Sequence, residues 1–172
     1  MSTRQLTLTA LLIALTTVAT LVIRIPVPAT QGYINLGDSM VYISALLFGP
    51  LAGLLAGGIG SALADLIGGY GQFAPYTLVI KGLEGLIVGL IAWQAARAPA
   101  PTAAGMARAI GAIAAGGTVM VLGYFLAEAY IMRIGVAAAG AEVPGNIFQV
   151  VGGLIVALPT ALLLRNLAPS SR

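Results

Sequence analysis

Long apolar segments, interrupted by prolines, glycine clusters and single charged residues, run along the whole chain. Breaking the sequence at these interruptions predicts helices at about 4–24, 37–48, 50–68, 75–96, 106–133 and 145–166. The second segment is shorter than the roughly 20 residues that cross a bilayer, so it is either tilted or a re-entrant hairpin. The pattern predicts an all-α integral membrane protein: a six-transmembrane-helix bundle forming a single domain over 1–172.

Composition supports this interpretation and excludes much chemistry. Hydrophobic residues make up 59% of the chain and charged residues 8%, whereas soluble domains carry about 25% charged residues. Cysteine and histidine are absent, which excludes disulfides, thiolate nucleophiles and Cys/His metal sites. We therefore expect no enzyme activity, no cofactor and no metal, which disfavours a membrane-embedded enzyme that would use the acidic residues.

The first apolar segment, 6–23, is an alternative candidate for a secretory signal peptide. Its 18 residues exceed the usual apolar region of about 7 to 15 residues. No small-x-small cleavage site precedes Arg24. A first membrane-spanning helix is the favoured interpretation.

The arginines predict the orientation in the membrane. Those at the termini or between the fourth and fifth helices are Arg4, Arg97, Arg108, Arg165 and Arg172. By the positive-inside rule this face is cytoplasmic, so both termini are expected to be cytoplasmic. The other charged residues then fall in the outer half or the outer loops: Arg24, Asp38, Asp65, Lys81, Glu84, Glu128, Arg133 and Glu142. No basic run exists, and nucleic acid is not an expected partner.

The fourth segment places polar groups on one helical face. Thr77, Lys81 and Glu84 occupy relative positions 0, 4 and 7, so a helix aligns them. Each charge at the centre of a bilayer helix costs roughly 2.5 to 3.5 kcal/mol, and such residues usually serve function. A ligand site is the favoured interpretation, and a structural ion pair is the alternative for Lys81 and Glu84.

Further polar residues fall at the same predicted outer end, and their stripes are expected to meet in one cavity. The complete set of candidate substrate contacts is Tyr33, Asn35, Tyr76, Thr77, Lys81, Glu84, Tyr124, Glu128, Asn146 and Gln149. For the tyrosines of the outer loops, an interfacial aromatic belt explains the positions equally well.

Small residues form two patterns. Gly49, Gly53, Gly57 and Ser61 recur every four residues, which predicts close packing within the bundle. Ala10 and Ala14 form a weaker Ala-x-x-x-Ala pattern in the first helix. Between the first two helices, the segment 24–35 holds two prolines and a glycine, and we expect it to act as a mobile gate.

Three runs carry a resemblance to a known family. They are INLGDSMVYISALLFGPLAG at 34–53, GGIGSALADLIGGY at 57–70 and FAPYTLVIKGLEG at 73–85. With the length and helix count, they resemble the substrate-binding S component of energy-coupling factor (ECF) vitamin transporters. The subgroup they resemble handles riboflavin, pyridoxine or the hydroxymethylpyrimidine precursor of thiamin.

The resemblance implies a function and partners. It implies a high-affinity binding subunit in the bacterial cell membrane, which works with a membrane coupling subunit and two cytoplasmic ATPases. It also implies that Ala10 and Ala14 dock on the coupling subunit, and that a ligand binds near the outer surface under 24–35. The chain has no G-x-x-x-x-G-K-[ST] sequence, so ATP hydrolysis would reside in the partners.

The substrate and the mode of transport have alternatives. A pocket with several tyrosines and amides favours a pyridine or pyrimidine compound, and riboflavin is the second candidate. A self-sufficient secondary transporter, in which acidic residues relay protons, is a further alternative. It is disfavoured because no inverted internal repeat is found.

Overall fold

The computed structural model describes residues 2–96 and 102–165. These residues form six helices and one hairpin of two short strands: α1 Thr3–Val22, β1 Arg24–Val27, β2 Gly32–Asn35, α2 Gly37–Phe48, α3 Pro50–Gly68, α4 Ala74–Ala96, α5 Ala103–Ile131 and α6 Val136–Leu164. The all-helical bundle that the sequence predicts is confirmed. Arg97, Arg172 and the predicted end of the last helix at residue 166 lie outside the described residues.

The helices differ in how they relate to a membrane. Five of those described are long and apolar enough to cross one, namely α1, α3, α4, α5 and α6. The remaining helix, α2, has 12 residues, which corresponds to about 18 Å at 1.5 Å per residue. It packs against α1, α3, α4 and α6 and forms much of the core. Its neighbours shield it from lipid, so its length need not match the bilayer.

The start of α6 differs from the prediction. The sequence was divided before residue 145, but the helix begins at Val136, after Gly135 with φ of +109°, and runs through Pro144. Proline removes one helical hydrogen bond without ending the helix here. Consequently Glu142, predicted to lie in an outer loop, is part of α6.

The segment 24–35 is an antiparallel β-hairpin, which adds a small element to the all-α prediction. Arg24 pairs with Asn35 and Val27 with Gly32. The turn includes Gln31, with φ of +58°. We call this segment the hairpin, and the end of the bundle beneath it the hairpin end.

The predicted packing stripe on α3 is confirmed. A Cβ atom at Gly53 would collide with the backbone of Gly85 on α4, and one at Gly85 would collide with Gly53. A Cβ atom at Gly57 would meet the carbonyl oxygen of Lys81. The stripe therefore lets α3 and α4 approach closely, and this contact holds Lys81 in the interior.

Two π-helical turns interrupt the helices. Ala56–Gly60 lies within α3, and the hydroxyl of Thr17 on α1 donates to the carbonyl of Gly60 at 2.9 Å. Ala127–Ile131 forms the last turn of α5 and buries three consecutive residues, Ala127, Glu128 and Ala129. Wider turns of this kind occur frequently at functional sites.

Candidate ligand-binding site

A narrow polar cavity lies at the hairpin end, between the hairpin and the adjoining parts of α1, α3, α4, α5 and α6. Its lining consists of Thr20, Gly32, Tyr33, Asn35, Ser61, Asp65, Phe73, Thr77, Lys81, Tyr124, Glu128, Glu142, Asn146 and Gln149. The predicted convergence of polar stripes from α4, α5 and α6 is therefore confirmed. Whether these residues bind a substrate stays a prediction.

Most predicted contact residues line this cavity, but two do not. Glu84 is fully buried one helical turn below Lys81, where it bonds Tyr42. Tyr76 packs beside the apolar cluster of Ile80, Met120 and Ala127. Glu84 therefore belongs to the buried polar interior and Tyr76 to the apolar packing, and neither side chain lines the cavity.

Lys81 is the centre of a buried ion cluster. Its ammonium group pairs with Glu84 at 3.1 Å, as the spacing on α4 predicts, and also with Asp38 of α2. The hydroxyl of Tyr42 donates to Glu84 at 2.6 Å. Two carboxylates and a tyrosine therefore surround the one buried lysine, and its charge is neutralised by the protein itself.

Gln149 links this cluster to the hairpin. Its side-chain amide donates to Asp38 at 3.1 Å, and its carbonyl accepts from the backbone N–H of Asn35 at 2.7 Å. The side chain of Asn35 accepts from the N–H of Gly37 at 2.7 Å, at the start of α2. Strand β2 is thereby tied to the interior.

A second contact holds the hairpin to the end of α3. The hydroxyl of Tyr33 donates to Asp65 at 2.6 Å. Burial, followed by the nearby Asp65 carboxylate, raises the pKa of Tyr33 above its usual value, so the hydroxyl stays protonated and remains a donor. The guanidinium of Arg24 lies 5.9 Å from the ring of Tyr33 and 6.0 Å from that of Tyr70, within the range of cation–π attraction.

Helices α4 and α5 meet at the cavity wall through Thr77 and Tyr124. The hydroxyl of Tyr124 donates to the hydroxyl of Thr77 at 2.9 Å. The ammonium of Lys81 lies 5.9 Å from the centre of the Tyr124 ring. An aromatic face and a cation therefore lie side by side on this wall.

Two carboxyl groups of the lining, those of Glu128 and Glu142, are neighbours. Glu128, on the π-helical turn of α5, and Glu142, on α6, lie within hydrogen-bonding reach of each other. The hydroxyl of Thr30 in the hairpin turn donates to Glu142. This is the third hydrogen bond between the hairpin and a helix side chain, after Tyr33–Asp65 and Asn35–Gln149. Arg24 also donates to the backbone carbonyl of Gly68 at 3.2 Å.

Sequence reasoning left three acidic residues out of the candidate contacts: Asp65 and Glu142, which line the cavity, and Asp38, which pairs with Lys81. Asp38 and Asp65 had no partner recognisable from spacing, because their partners Lys81 and Tyr33 are far along the chain. Glu142 was not recognised because the last helix was predicted to begin at 145, after this residue. Its spacing of four residues to Asn146 and seven to Gln149 places all three on one helical face and could have identified it.

The predicted docking residues lie on a different surface. Ala10 and Ala14 are both exposed on α1, among exposed apolar residues such as Leu6 and Val18. They are far from the cavity lining, to which α1 contributes only Thr20. The position allows a partner helix to approach α1 without disturbing the cavity.

Comparison with known proteins supports the same interpretation. The sequence matches the ECF-type riboflavin transporter S component family over residues 1–166. It is 47% identical over 140 residues to an uncharacterised protein of Pyrococcus woesei, covering 81% of this chain and 87% of that protein. It is 30% identical over 155 residues to the thiamine precursor transporter HmpT of Lactococcus lactis subsp. cremoris, covering 90% of this chain and 83% of HmpT.

A solved structure shares the fold. The S component of a bacterial ECF transporter superposes with a TM-score of 0.61 and 20% identity, covering 96% of this chain and 95% of that one. The sequence match spans nearly all of the chain, and the structural match covers 96% of it. The protein is thus a multi-pass membrane transport component and belongs to the ECF-type riboflavin transporter S component family.

Proposed function

We propose that this protein is the high-affinity binding subunit of an ECF importer and takes up a small nitrogen-heterocycle vitamin or precursor. The observation that carries the proposal is the polar cavity at the hairpin end. It is walled by five helices that are long and apolar enough to span a membrane. The hairpin covers it and forms three hydrogen bonds with helix side chains. Most small-molecule pockets have predominantly apolar walls with few polar groups. This lining is mostly polar, which favours a ligand with several hydrogen-bonding groups.

The leading substrate is a pyrimidine precursor of thiamin. HmpT, whose similarity covers 90% of this chain, transports a thiamine precursor. The cavity is narrow, which favours a small ring. Three aromatic side chains of its lining, Tyr33, Phe73 and Tyr124, are available to contact that ring. Pyridoxine is a related candidate of similar size.

Riboflavin is the second candidate, because the matched family is named for riboflavin transport. Its three fused rings need a longer apolar slot than a single pyrimidine. To accept riboflavin, the hairpin would have to move away from α3 and α6 and break its bonds to Asp65 and Glu142.

Transport requires partners in this proposal. A membrane coupling subunit would dock on α1 at Ala10 and Ala14, and two cytoplasmic ATPases would supply energy. The exposed small side chains of α1 support this assignment, since close helix approach in membranes needs small residues.

We further propose that all six helices cross the membrane and that both termini are cytoplasmic. The arginines of the sequence support this orientation. The chain contains no cysteine, so single cysteines at Ser2 and Gln72 can be labelled separately in intact cells. Labelling of the cysteine at 72 but not at 2 by an impermeant maleimide is expected, and the reverse would contradict this topology.

Native mass spectrometry of the purified chain, with the hydroxymethyl aminopyrimidine, pyridoxine and riboflavin in turn, tests the substrate. We expect one bound pyrimidine per chain and a higher melting temperature, since ligand at 100 times its Kd stabilises by about 2.7 kcal/mol. A complex with riboflavin alone would replace the leading substrate by the second. If none of the three binds, the proposed function is wrong.

A further inference from the structure

The facing carboxyl groups of Glu128 and Glu142 form a distinct feature of the cavity. Glu128 is 1% exposed and Glu142 4% exposed, and both line the cavity. They come from different elements, since the π-helical turn of α5 presents Glu128 and the N-terminal part of α6 presents Glu142. The fold thus brings together two groups that would repel each other if both were charged.

The hydrogen-bond partners of the two carboxyl groups differ. Glu142 accepts from Thr30, whereas neither oxygen of Glu128 has a donor among the described residues. In that same part of the chain the ion pairs all involve Lys81, which Asp38 and Glu84 already neutralise. A buried acceptor without a donor is destabilising, and more so when it is charged. Glu128 is therefore an unsatisfied acceptor at the cavity unless a proton is shared between it and Glu142.

Two carboxyl groups in contact hold one proton between them unless a cation joins them. The pair then offers one O–H donor and several acceptor lone pairs side by side. A ligand matches this pattern when it carries an N–H donor beside an unprotonated ring nitrogen, or two N–H donors beside each other. The amino group and neighbouring ring nitrogen of an aminopyrimidine have this arrangement.

We propose that the Glu128–Glu142 pair binds the amino edge of an aminopyrimidine, with the carboxylate accepting from the amino group and the shared proton donated to the ring nitrogen. This inference rests on the proposed function and extends it by naming the ligand edge and the residues that select it. Pyridoxine lacks the amino group. The imide edge of riboflavin presents carbonyl oxygens on both sides of its N–H, which would oppose the carboxylate.

Asp65, the other acidic residue of the lining, is less suited to this role. Its carboxylate already accepts from Tyr33 at 2.6 Å and holds the hairpin. Glu142 also bonds the hairpin, through Thr30. A ligand on the carboxyl pair would therefore lie directly under the hairpin turn.

The test measures the affinity of the purified full-length chain for two ligands, the hydroxymethyl aminopyrimidine and its counterpart lacking the amino group. The unsubstituted chain should prefer the amino compound by tenfold or more, equivalent to about 1.4 kcal/mol. Glu128→Gln should reduce this preference to less than threefold. The glutamine amide is neutral, so the pair loses the negative charge that attracts the amino group of the ligand. Tyr130→Phe on the same turn, where the side chain is 61% exposed, should keep the full preference.

The outcomes separate the two proposals. Equal affinity of the unsubstituted chain for both pyrimidines would overturn the inference and leave the proposed function standing. Failure to bind either pyrimidine would overturn both the inference and the leading substrate. If Glu128→Gln does not fold, Glu142→Gln replaces it, and the comparison of ligands on the unsubstituted chain decides in any case.

Discussion

At the scale of single residues, the cluster around Lys81 contains the buried ion pairs of the described residues. Lys81 pairs with Asp38 and Glu84, and Tyr42 donates to Glu84. Removing one member of a buried pair strands the others, which costs much more than the pair contributes when intact. The cluster is therefore expected to act as a unit.

Lys81→Met should destabilise the protein strongly. The substitution leaves two carboxylates without their cation, at a cost of about 3 to 5 kcal/mol. Denaturant unfolding in detergent measures the loss, with Arg4→Met, an exposed cation on α1, as the control. The interpretation of the cluster would be wrong if the two variants unfolded at the same denaturant concentration.

The residue scale also shows what spacing can predict. Lys81 and Glu84 are three apart on one helix, so their ion pair follows from helical geometry alone. Asp38 comes from α2 and joins them only through tertiary packing. No local pattern places it there, because the contact depends on how closely α2 and α4 approach.

At the scale of elements, the hairpin covers the cavity through three hydrogen bonds to helix side chains: Tyr33–Asp65, Asn35–Gln149 and Thr30–Glu142. Arg24 adds one to the backbone carbonyl of Gly68. Each is a single hydrogen bond, whereas its connection to α1 and α2 is covalent. We therefore expect that the hairpin swings away from the cavity without unfolding of the helices.

Tyr33→Phe should loosen the hairpin. Hydrogen bonds to charged groups contribute about 1.5 to 3 kcal/mol, so amide exchange across 24–35 is expected to rise roughly tenfold. Tyr70→Phe is the matched control, since the centre of the Tyr70 ring lies 4.4 Å from that of Tyr33.

Saturating vitamin should slow amide exchange across 24–35 in the unsubstituted chain. Identical exchange with and without vitamin would rule out a gate.

The contact between α3 and α4 depends on glycine. A side chain at Gly85 would meet the backbone of Gly53, while one at Gly111 or Gly140 would meet nothing within 4 Å. Gly85→Ala should destabilise by about 1 to 3 kcal/mol through overpacking. Gly111→Ala should be neutral or stabilising by about 0.5 to 1 kcal/mol, because helical glycine loses more entropy on folding. Similar melting temperatures for both variants would contradict the close approach.

Elements were predicted well where apolar periodicity was long and poorly where proline interrupted it. The predicted ranges of α2 and α3 agree with the structure, including the break at Gly49 before Pro50. The start of α6 was wrong because Pro144 lies inside the helix. The π-helical turn at Ala127–Ile131 has no sequence signal of its own. The four-residue spacing of Tyr124 and Glu128 nevertheless placed Glu128 on the polar stripe of α5 that lines the cavity.

At the scale of the whole molecule, the cavity and the proposed docking residues occupy separate surfaces. The cavity lies at the hairpin end, and Ala10 and Ala14 lie on the exposed face of α1. A substitution on α1 should therefore affect coupling without affecting ligand affinity. This separation is what a binding subunit that associates with a separate transport module requires.

Ala10→Trp combined with Ala14→Trp should keep vitamin affinity of the isolated chain within about threefold and abolish uptake with the coupling subunits. Two indole rings would hold a partner helix away from α1. Phe148→Trp, at a 74% exposed position on α6, is the control and should transport normally. Uptake at the unsubstituted level in the double variant would place the docking surface elsewhere.

The most direct test of the central claim is a structure of the chain bound to the aminopyrimidine. We expect the ring between the hairpin and the helices at the hairpin end, in contact with Glu128 and Tyr124, with the hairpin closed over it. A ligand located elsewhere, for example in the apolar groove between α5 and α6 near Val121 and Val151, would contradict the account.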